Sequence, residues 1–311
     1  MIKVGIAGAE TQLSGELLRL LVHHPEVEIS TLYAPALKGR KVSNFHKGLT
    51  GEIDLRFSDK VDVSELDILF LNPGSLPNLT SIPEDLRIVT LRHTDNLNLI
   101  EPYESIDYVT GLSEMFRKPL VRGAKAAHIP SPPVSIAMIA LFPLASHLLL
   151  NDKVKLKFLL PAVLKDKFSK ESISDEIETL IKGVQLSFTK INDIEIGFSN
   201  SLRALKMELE FPCGITETEI EKIYNDIYDD HNFTFLTRTA PDPTEVAGTQ
   251  KCLLCISKPS EDVLNISAIA DGILRGGAGD AVHVMNLLFG LFEKTGLNLQ
   301  ASLAFKSPTA L

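Results

Sequence analysis

The first third of the chain alternates short apolar runs with an amphipathic segment. Residues 2–7 and 27–33 have the apolar pattern of strands, and residues 16–24 between them place their apolar side chains on one helical face. Such runs are typical of parallel strands that are covered on both faces. The pattern therefore predicts the strand–helix–strand unit that opens a doubly wound parallel sheet. Three further segments have the same strand pattern, namely residues 66–71, 87–91 and 107–109.

The pattern changes after Val134. Longer strand-like segments follow, and turns and two amphipathic helices near residues 174–181 and 217–227 separate them. Strands grouped in this way predict an α+β domain with a largely antiparallel sheet. A last helix, at about residues 278–295, is apolar on one face and could cover either domain. The strands predicted for this part are residues 153–160, 183–191, 194–198, 205–211 and 251–257.

Composition narrows the function classes. The net charge of −9 argues against a nucleic-acid or anionic-membrane surface, because both need a basic footprint. Three cysteines are too few for a disulfide framework, and the N-terminus has no signal-peptide layout, so we expect a cytoplasmic protein. The apolar segment at residues 134–150 is short for a membrane span and is interpreted as a buried helix. No metal site is predicted, since the acidic cluster at residues 226–231 has the character of a solvated face.

Three stretches carry longer motifs. Residues 4–9 read Val-Gly-Ile-Ala-Gly-Ala, residues 111–117 read Gly-Leu-Ser-Glu-Met-Phe-Arg, and residues 275–282 read Arg-Gly-Gly-Ala-Gly-Asp-Ala-Val. With these three motifs in this order, the chain resembles the N-acetyl-γ-glutamyl-phosphate reductases of the wider semialdehyde dehydrogenase family. The resemblance implies an α/β fold with a Rossmann-type domain, formed by residues 1–134 and a C-terminal helix at about 278–311. It also implies that an α+β domain, residues 135–277, carries a dimer interface.

The resemblance implies a reaction as well, the NADPH-dependent reduction of an acyl phosphate to an aldehyde in arginine biosynthesis. A cysteine thiolate performs it, because sulfur is nucleophilic near neutral pH and leaves readily. The family motif Asn-Pro-Gly-Cys-Tyr-Pro-Thr corresponds here to residues 129–135, which puts Pro132 at the nucleophile position. Ser131 and Ser135 lie on the substrate side of this site, and we interpret them as helix-capping residues rather than nucleophiles. The family's histidine motifs correspond to residues 171–177 and 198–202, which contain no histidine.

The family's phosphate loop, Gly-x-x-Gly-x-x-Gly, corresponds to Gly8, Thr11 and Ser14. Gly8 keeps the tight turn, whereas Thr11 and Ser14 add side chains where the backbone would approach a pyrophosphate. NADP or NAD therefore remains a candidate ligand of a weakened loop. The residues assigned to the cofactor are Gly8, Ala9, Thr11, Gln12, Ser75, Gly276, Gly277 and Gly279.

Other polar residues have structural interpretations. Glu114 and Arg117, which the family shares, are interpreted as an ion pair at the domain junction, with substrate contact as the alternative. His24 is interpreted as a partly cationic cap at a helix end. Cys252 and Cys255 are three apart in a predicted strand, so their sulfurs should point to opposite faces as two buried, inert thiols.

The sequence and the family resemblance are compatible with two functions. One is an NAD(P)-linked reductase that works through a rearranged site. The other is a non-catalytic relative that keeps the fold as a binding or regulatory subunit, with a small-molecule ligand and assembly into a dimer or tetramer. The loss of the cysteine, the histidines and two loop glycines favours the second for the phosphorylating reduction.

Overall fold

The computed structural model describes residues 1–301, except 73–75, 80, 93–102, 104–105, 152 and 192. Its contacts divide the chain into two units. The first comprises Met1–Ser135 and Gly276–Asn298, and the second comprises Ile136–Arg275 and Leu299–Leu311. The predicted fold class is confirmed, because one unit holds a parallel sheet and the other a mixed sheet with an antiparallel centre.

Parallel strands form the sheet of the first unit. They are β1 (Ile2–Ala7), β2 (Val27–Tyr33), β3 (Ile68–Leu71), β4 (Arg87–Leu91), β5 (Tyr108–Thr110) and β6 (Ala126–Ile129). Their order is β2-β1-β3-β4-β6-β5, and β3 is buried at every position, as expected of a strand covered on both faces. The strand order reverses next to β1. In open sheets of this kind, ligands bind outside the carboxyl ends of the strands at that point.

Helices cover both sheets. In the described residues they are α1 (Gln12–Leu21), α2 (Val42–Phe45), α3 (Ser113–Val121), α4 (Pro132–Ser146), α5 (Lys170–Lys182), α6 (Glu217–Tyr228) and α7 (Ala278–Leu288). Side-chain caps explain where several of them begin. Thr11 caps α1, Ser169 caps α5, and Thr216 with Glu219 forms a capping box on α6. Helix α7 lies in the first unit and packs against α1 and α3.

The second unit is built on the mixed sheet. Its strands are β7 (Lys155–Leu160), β8 (Asp193–Phe198), β9 (Ala204–Pro212), β10 (Thr234–Thr237), β11 (Cys252–Ser260) and β12 (Val263–Asp271), in the order β10-β11-β12-β9-β7-β8. Strand β9 alternates buried and exposed side chains along most of its length. One face of the sheet therefore packs on the core, and the other is open.

Helix α4 is apolar around its whole circumference, and its residues from Val134 to Leu141 are all buried. Pro143 lies inside this helix and has no N–H group to donate to the carbonyl of Ile139. The hydroxyl of Tyr228 on α6 donates to that carbonyl over 2.6 Å. Tyr224, one turn earlier, donates to the carbonyl of Ala140. Among the residues that the structure describes, no helix has both the length and the apolar character needed to cross a membrane.

Several predicted elements need correction. Residues 183–191 are not a strand, because the chain turns there after α5 and Gln185 bonds the backbone N–H and carbonyl of Leu150. The last helix ends at Leu288 rather than near residue 295. Strands β6, β10 and β12 were not predicted. Residues 302–311, which the predicted C-terminal helix would include, lie outside the described residues.

Candidate functional site

The loop between β1 and α1 begins with a turn that only glycine accommodates. Gly8 has a φ angle of 68°, in the left-handed region that L-residues rarely adopt. A Cβ atom at this position would lie 2.7 Å from the carbonyl oxygen of Asn72, the residue that follows β3. The carboxyl ends of β1 and β3 are therefore in backbone contact at the place where ligands bind in such sheets.

Side chains brace this loop where the family motif has glycines. The N–H group of Ser14 donates to Thr11 Oγ1 over 3.1 Å, which makes Thr11 the N-cap of α1. The hydroxyl of Ser14 donates to the carbonyl of Gly8 over 2.7 Å, and the side-chain amide of Asn72 donates to Ser14 Oγ over 2.6 Å. Ser14 and Asn72 are both almost fully buried. The loop is thus held by hydrogen bonds among its own side chains and to Asn72.

His46 lies over the same loop. Its Nε2 is 2.7 Å from the carbonyl oxygen of Ala9, and since a carbonyl only accepts, Nε2 carries the proton. A Cβ atom at Gly15 would lie 2.6 Å from His46 Nδ1, so the glycine allows the imidazole to approach the helix. Gln12, the first residue of α1, is exposed. Ser75, also assigned to the cofactor, lies outside the described residues.

Pro132 is the first residue of α4, and it is packed against the glycine-rich segment that precedes α7. Gly276 has a φ angle of 65°, and a Cβ atom there would lie 2.4 Å from Pro132 Cα and 2.5 Å from Pro132 N. The N–H of Gly276 donates to the carboxylate of Asp280 over 2.6 Å. Gly277 precedes α7, and Gly279 is buried in its first turn. The two segments that the sequence assigned to the site are therefore adjacent.

Ser131 and Ser135, at the start of α4, are buried and make hydrogen bonds within the first turn of the helix. Ser131 is 1% exposed, and its carbonyl accepts from the N–H of Ser135 over 2.8 Å. Ser135 is fully buried, and its hydroxyl donates back to the carbonyl of Pro130 over 3.2 Å. A serine nucleophile needs a base that takes its proton, whereas the proton of Ser135 is directed at a backbone carbonyl. These contacts hold the first turn of α4.

The predicted ion pair between Glu114 and Arg117 is wrong. Arg117 instead donates to Glu293 Oε1, from Nε over 2.9 Å and from Nη2 over 2.7 Å. Arg117 lies on α3 and Glu293 follows α7, and both belong to the first unit. The other oxygen of Glu293 bonds His283 Nε2 over 2.7 Å, and His283 Nδ1 lies 3.2 Å from the hydroxyl of Ser113. These hydrogen bonds hold the pKa of Glu293 down at about 2.

The sequence interpretation missed Ser113 and His283. Ser113 lies inside the motif at residues 111–117, and His283 directly follows the motif at residues 275–282. Ser113 also contacts the carboxylate of Glu114 over 3.2 Å, and all three residues are buried. No local pattern links Ser113 to His283, because 170 residues separate them.

A second histidine was also missed. His128 lies in β6 beside Thr110 of β5, with 3.3 Å between Nε2 and the threonine hydroxyl. Burial, with a smaller contribution from the charge of Arg92, lowers the pKa of His128 to about 4. The imidazole is therefore neutral at pH 7 and lies near the carboxyl edge of the sheet.

His24 is not the cationic cap that the sequence suggested. Its ring is buried, and burial lowers its pKa despite the hydrogen bond with Asn286. The N–H of Glu26 donates to Nδ1 over 3.3 Å, so Nε2 carries the proton and donates to Asn286 Oδ1 over 3.0 Å. Gly296 lies against the ring, where a Cβ atom would be 2.4 Å away. The neutral ring joins the end of α1 to α7.

The three cysteines are free thiols and lie in the second unit. Cys213 and Cys252 are buried, whereas Cys255 is only partly buried, which corrects the prediction of two buried thiols in β11. Burial raises the pKa of the Cys255 thiol, so the thiolate is disfavoured. No group of three or more potential metal ligands occurs in the part of the chain that the structure describes.

Comparison with known proteins gives three findings. Residues 3–80 match the family model described as semialdehyde dehydrogenase, NAD binding domain. An N-acetyl-γ-glutamyl-phosphate reductase of Parabacteroides distasonis is 33% identical, over 97% of this chain and 99% of that protein. A reductase of the same description from Phocaeicola vulgatus is 30% identical over the same shares.

Solved structures agree on the fold. The aspartate semialdehyde dehydrogenase of Candida albicans, determined with NADP, superposes with a TM-score of 0.66 at 14% identity and covers 93% of this chain and 98% of its own. The enzyme of the same description from Francisella tularensis gives 0.64 at 13% identity, covering 93% and 100%.

Proposed function

The chain belongs to the N-acetyl-γ-glutamyl-phosphate reductase family, and from this premise we propose that it binds NADP or NAD but has lost thiol-dependent phosphorylating reduction. The observation that carries the proposal is the residue at the start of α4. By correspondence with the family motif, Pro132 stands where the cysteine nucleophile would be. A proline side chain offers neither a nucleophilic atom nor a proton.

The first unit fits a dinucleotide. Its first 80 residues, apart from Met1 and Ile2, match the NAD-binding family model. The Gly8 turn leaves no room for a Cβ atom, and the first turn of α1 offers the N–H groups of Gln12 and Leu13 to a phosphate. When bound, NADP or NAD supplies hydride-transfer chemistry. Gly276 is packed against Pro132, whereas Gly277, which precedes α7, would let the backbone come close to the far end of the ligand.

Neighbouring groups do not replace the nucleophile. The hydroxyl of Ser135 is committed to a backbone carbonyl, and Ser131 is 1% exposed. His128 has a pKa of about 4, so it is a weak base for activating a hydroxyl at neutral pH. None of these three described residues can therefore form the covalent acyl intermediate.

An active reductase is the second candidate. It is favoured by similarity over 97% of the chain to a protein described as a reductase. In this case another group of the first unit would receive the acyl phosphate. We place it second because the candidate site residues that the structure describes include no accessible thiol.

Cofactor binding is tested by calorimetric titration of the full chain with NADP⁺ and with NAD⁺. Saturable binding of either supports the proposal, and the absence of heat with both contradicts it. The matched variants are Gly276→Ala and Gly39→Ala, which both add a Cβ atom at a glycine with positive φ. Titrated under conditions where circular dichroism shows both variants folded, only the first should weaken binding, because Gly276 packs against Pro132 at the site whereas Gly39 has open space around it.

The chemical part is tested with the Pro132→Cys variant. If Pro132 occupies the nucleophile position, the variant should form an acyl adduct with an acyl phosphate, detected as an intact-mass increase, whereas the wild type should form none. Because the family histidines are absent, turnover by the variant should stay low. An adduct on the wild-type chain would support the active-reductase candidate instead.

We further propose that the chain assembles through the open face of the second unit's sheet. Opposite charges pair across this face, with Lys155 2.8 Å from Glu210 and Lys206 2.7 Å from Glu208. A cavity of about 520 Å³ lies among these side chains. Within the described residues, Asn265 Oδ1 beside it is buried without a hydrogen-bond partner. A surface that carries both charges can place each charge opposite its counterpart on a second copy about a two-fold axis.

Light scattering with size-exclusion chromatography tests this assembly. The wild type should elute as a dimer or tetramer, and Glu208→Lys, which places like charges together, should shift it toward the monomer. Glu221→Lys makes the same charge change at an exposed position of α6 and should leave the mass unchanged. A monomeric wild type would contradict the proposal.

A further inference from the structure

We propose that Thr11 and Ser14 act as a built-in substitute for a ligand phosphate and thereby set the dinucleotide affinity of the β1–α1 loop. The inference rests on the proposed cofactor function. It goes beyond that function because it assigns a regulatory role to two side chains of the loop.

Thr11 already occupies one of the helix donors that a ligand phosphate would use. The first turn of a helix leaves N–H groups without partners in the helix, and a bound phosphate is one of the groups that can take them. Here Thr11 Oγ1 already accepts from the N–H of Ser14 over 3.1 Å. A phosphate at the same place would compete with this oxygen for the donor.

The hydroxyl of Ser14 makes all its hydrogen bonds to groups of the protein. It has one proton, and that proton goes to the carbonyl of Gly8 over 2.7 Å. The oxygen therefore accepts from Asn72 Nδ2 over 2.6 Å, and from the hydroxyl of Thr11, whose oxygen is 3.0 Å away. All the hydrogen-bonding capacity of this hydroxyl is used inside the loop, so the loop is ordered without a ligand.

Asn72, which lies beside Gly8 and Ser14, has a buried side-chain oxygen without a hydrogen-bond partner among the described residues. It is 1% exposed, and its side chain enters the space between the Gly8 turn and the first turn of α1. Its Oδ1 has no hydrogen-bond partner among the residues that the structure describes. A buried acceptor without a donor is unfavourable, and because a phosphate only accepts, this oxygen calls for a donating group of the dinucleotide, such as a ribose hydroxyl.

The experiment compares NADP⁺ binding by the wild type, Thr11→Gly, Ser14→Gly and the double variant. Each single change should tighten binding by about tenfold, since it frees a donor for a charged acceptor. Thr11→Ser keeps the capping oxygen and should therefore tighten binding much less than Thr11→Gly. Thr216→Gly and Ser169→Gly remove equivalent caps from α6 and α5 and should not change binding.

Amide hydrogen exchange gives a readout besides affinity. The N–H of Ser14 should be protected in the unliganded wild type, and in Thr11→Gly only after NADP⁺ is added. If Thr11→Gly does not fold, Thr11→Val removes the same oxygen and keeps the β-branched shape of the side chain at this extended N-cap.

The outcomes separate the two proposals. If the wild type binds and the loop variants bind equally or more weakly, the substitute role is wrong and the cofactor function stands. If only the loop variants bind, the substitute role is correct and cofactor binding by the wild type is wrong. If none of the proteins binds, both proposals are overturned.

Discussion

Gly276 approaches the backbone of Pro132 so closely that a methyl group on its Cα would lie 2.4 Å from Pro132 Cα. The contact joins the segment before α7 to the first residue of α4, and it involves backbone on both sides. It explains why a glycine is needed at residue 276, and it fixes Pro132 by packing.

Replacement of Gly276 with alanine should therefore be severely destabilising. The strained φ angle and the steric overlap together should cost about 2–5 kcal/mol. Gly39→Ala is the control, because Gly39 has a φ angle of 76° but no atom within 4 Å of the added Cβ. It should cost only about 1–2 kcal/mol, from φ alone. Equal losses of unfolding free energy in urea would refute the close approach.

Tyr228 should stabilise the second unit through the carbonyl that Pro143 leaves without a helical donor. Tyr228→Phe should lower the free energy of unfolding by about 1–3 kcal/mol, the cost of an unsatisfied buried acceptor. In a Pro143→Ala background, residue 143 regains its N–H and can donate to Ile139. The same tyrosine change should then cost less. A double-mutant cycle with no coupling between residues 143 and 228 would contradict this explanation.

Glu293 should make the first unit sensitive to acid. Hydrogen bonds from His283 and Arg117 lower its pKa from 4.5 to about 2 in the folded protein. The carboxylate therefore contributes stability above the pKa of the unfolded chain, and this stability is lost as the pH falls through about 2. Glu293→Gln should reduce stability at pH 7 and flatten the profile between pH 4.5 and 2.

The control for this experiment is Glu221→Gln, which neutralises an exposed carboxylate on α6. Its urea-unfolding profile should follow that of the wild type throughout the range. If Glu293→Gln and Glu221→Gln give the same pH profile, the cluster of Arg117, His283 and Glu293 does not stabilise the fold.

The neutral state of His128 can be measured directly. Because burial lowers its pKa to about 4, its ring resonances should stay those of neutral imidazole from pH 7 down to about pH 5. Titration near pH 6.5 in a nuclear magnetic resonance experiment would show instead that the ring is solvated. His147, which lies on the surface after α4, gives a reference signal in the same spectra.

The local pattern of apolar and polar residues was sufficient to predict many of the strands and helices. Strand β4 has the predicted bounds, and α6 was placed within one residue at its end, because its apolar residues recur at helical spacing on one face. Residues 183–191 failed because the alternation of Val184, Leu186 and Phe188 imitates a strand, whereas no neighbouring strand pairs with it. Leu186 is in fact 87% exposed. Strand β6 was missed because its two alanines have little β-propensity.

The site was predictable only in part. The glycines and Pro132 could be placed from motifs, since those residues are contiguous in sequence. The network of Ser14 and Asn72 could not, because 58 residues separate them and only the parallel pairing of β1 and β3 brings them together. The same holds for Ser113 and His283, which are 170 residues apart.

The most direct test of the central claim is NADPH oxidation by the purified full-length chain in the presence of N-acetyl-γ-glutamyl phosphate, with a family member of known activity as the positive control. We expect this chain to bind the cofactor but to give no oxidation above the rate without substrate. Substrate-dependent NADPH oxidation, with phosphate released in equal amount, would contradict it.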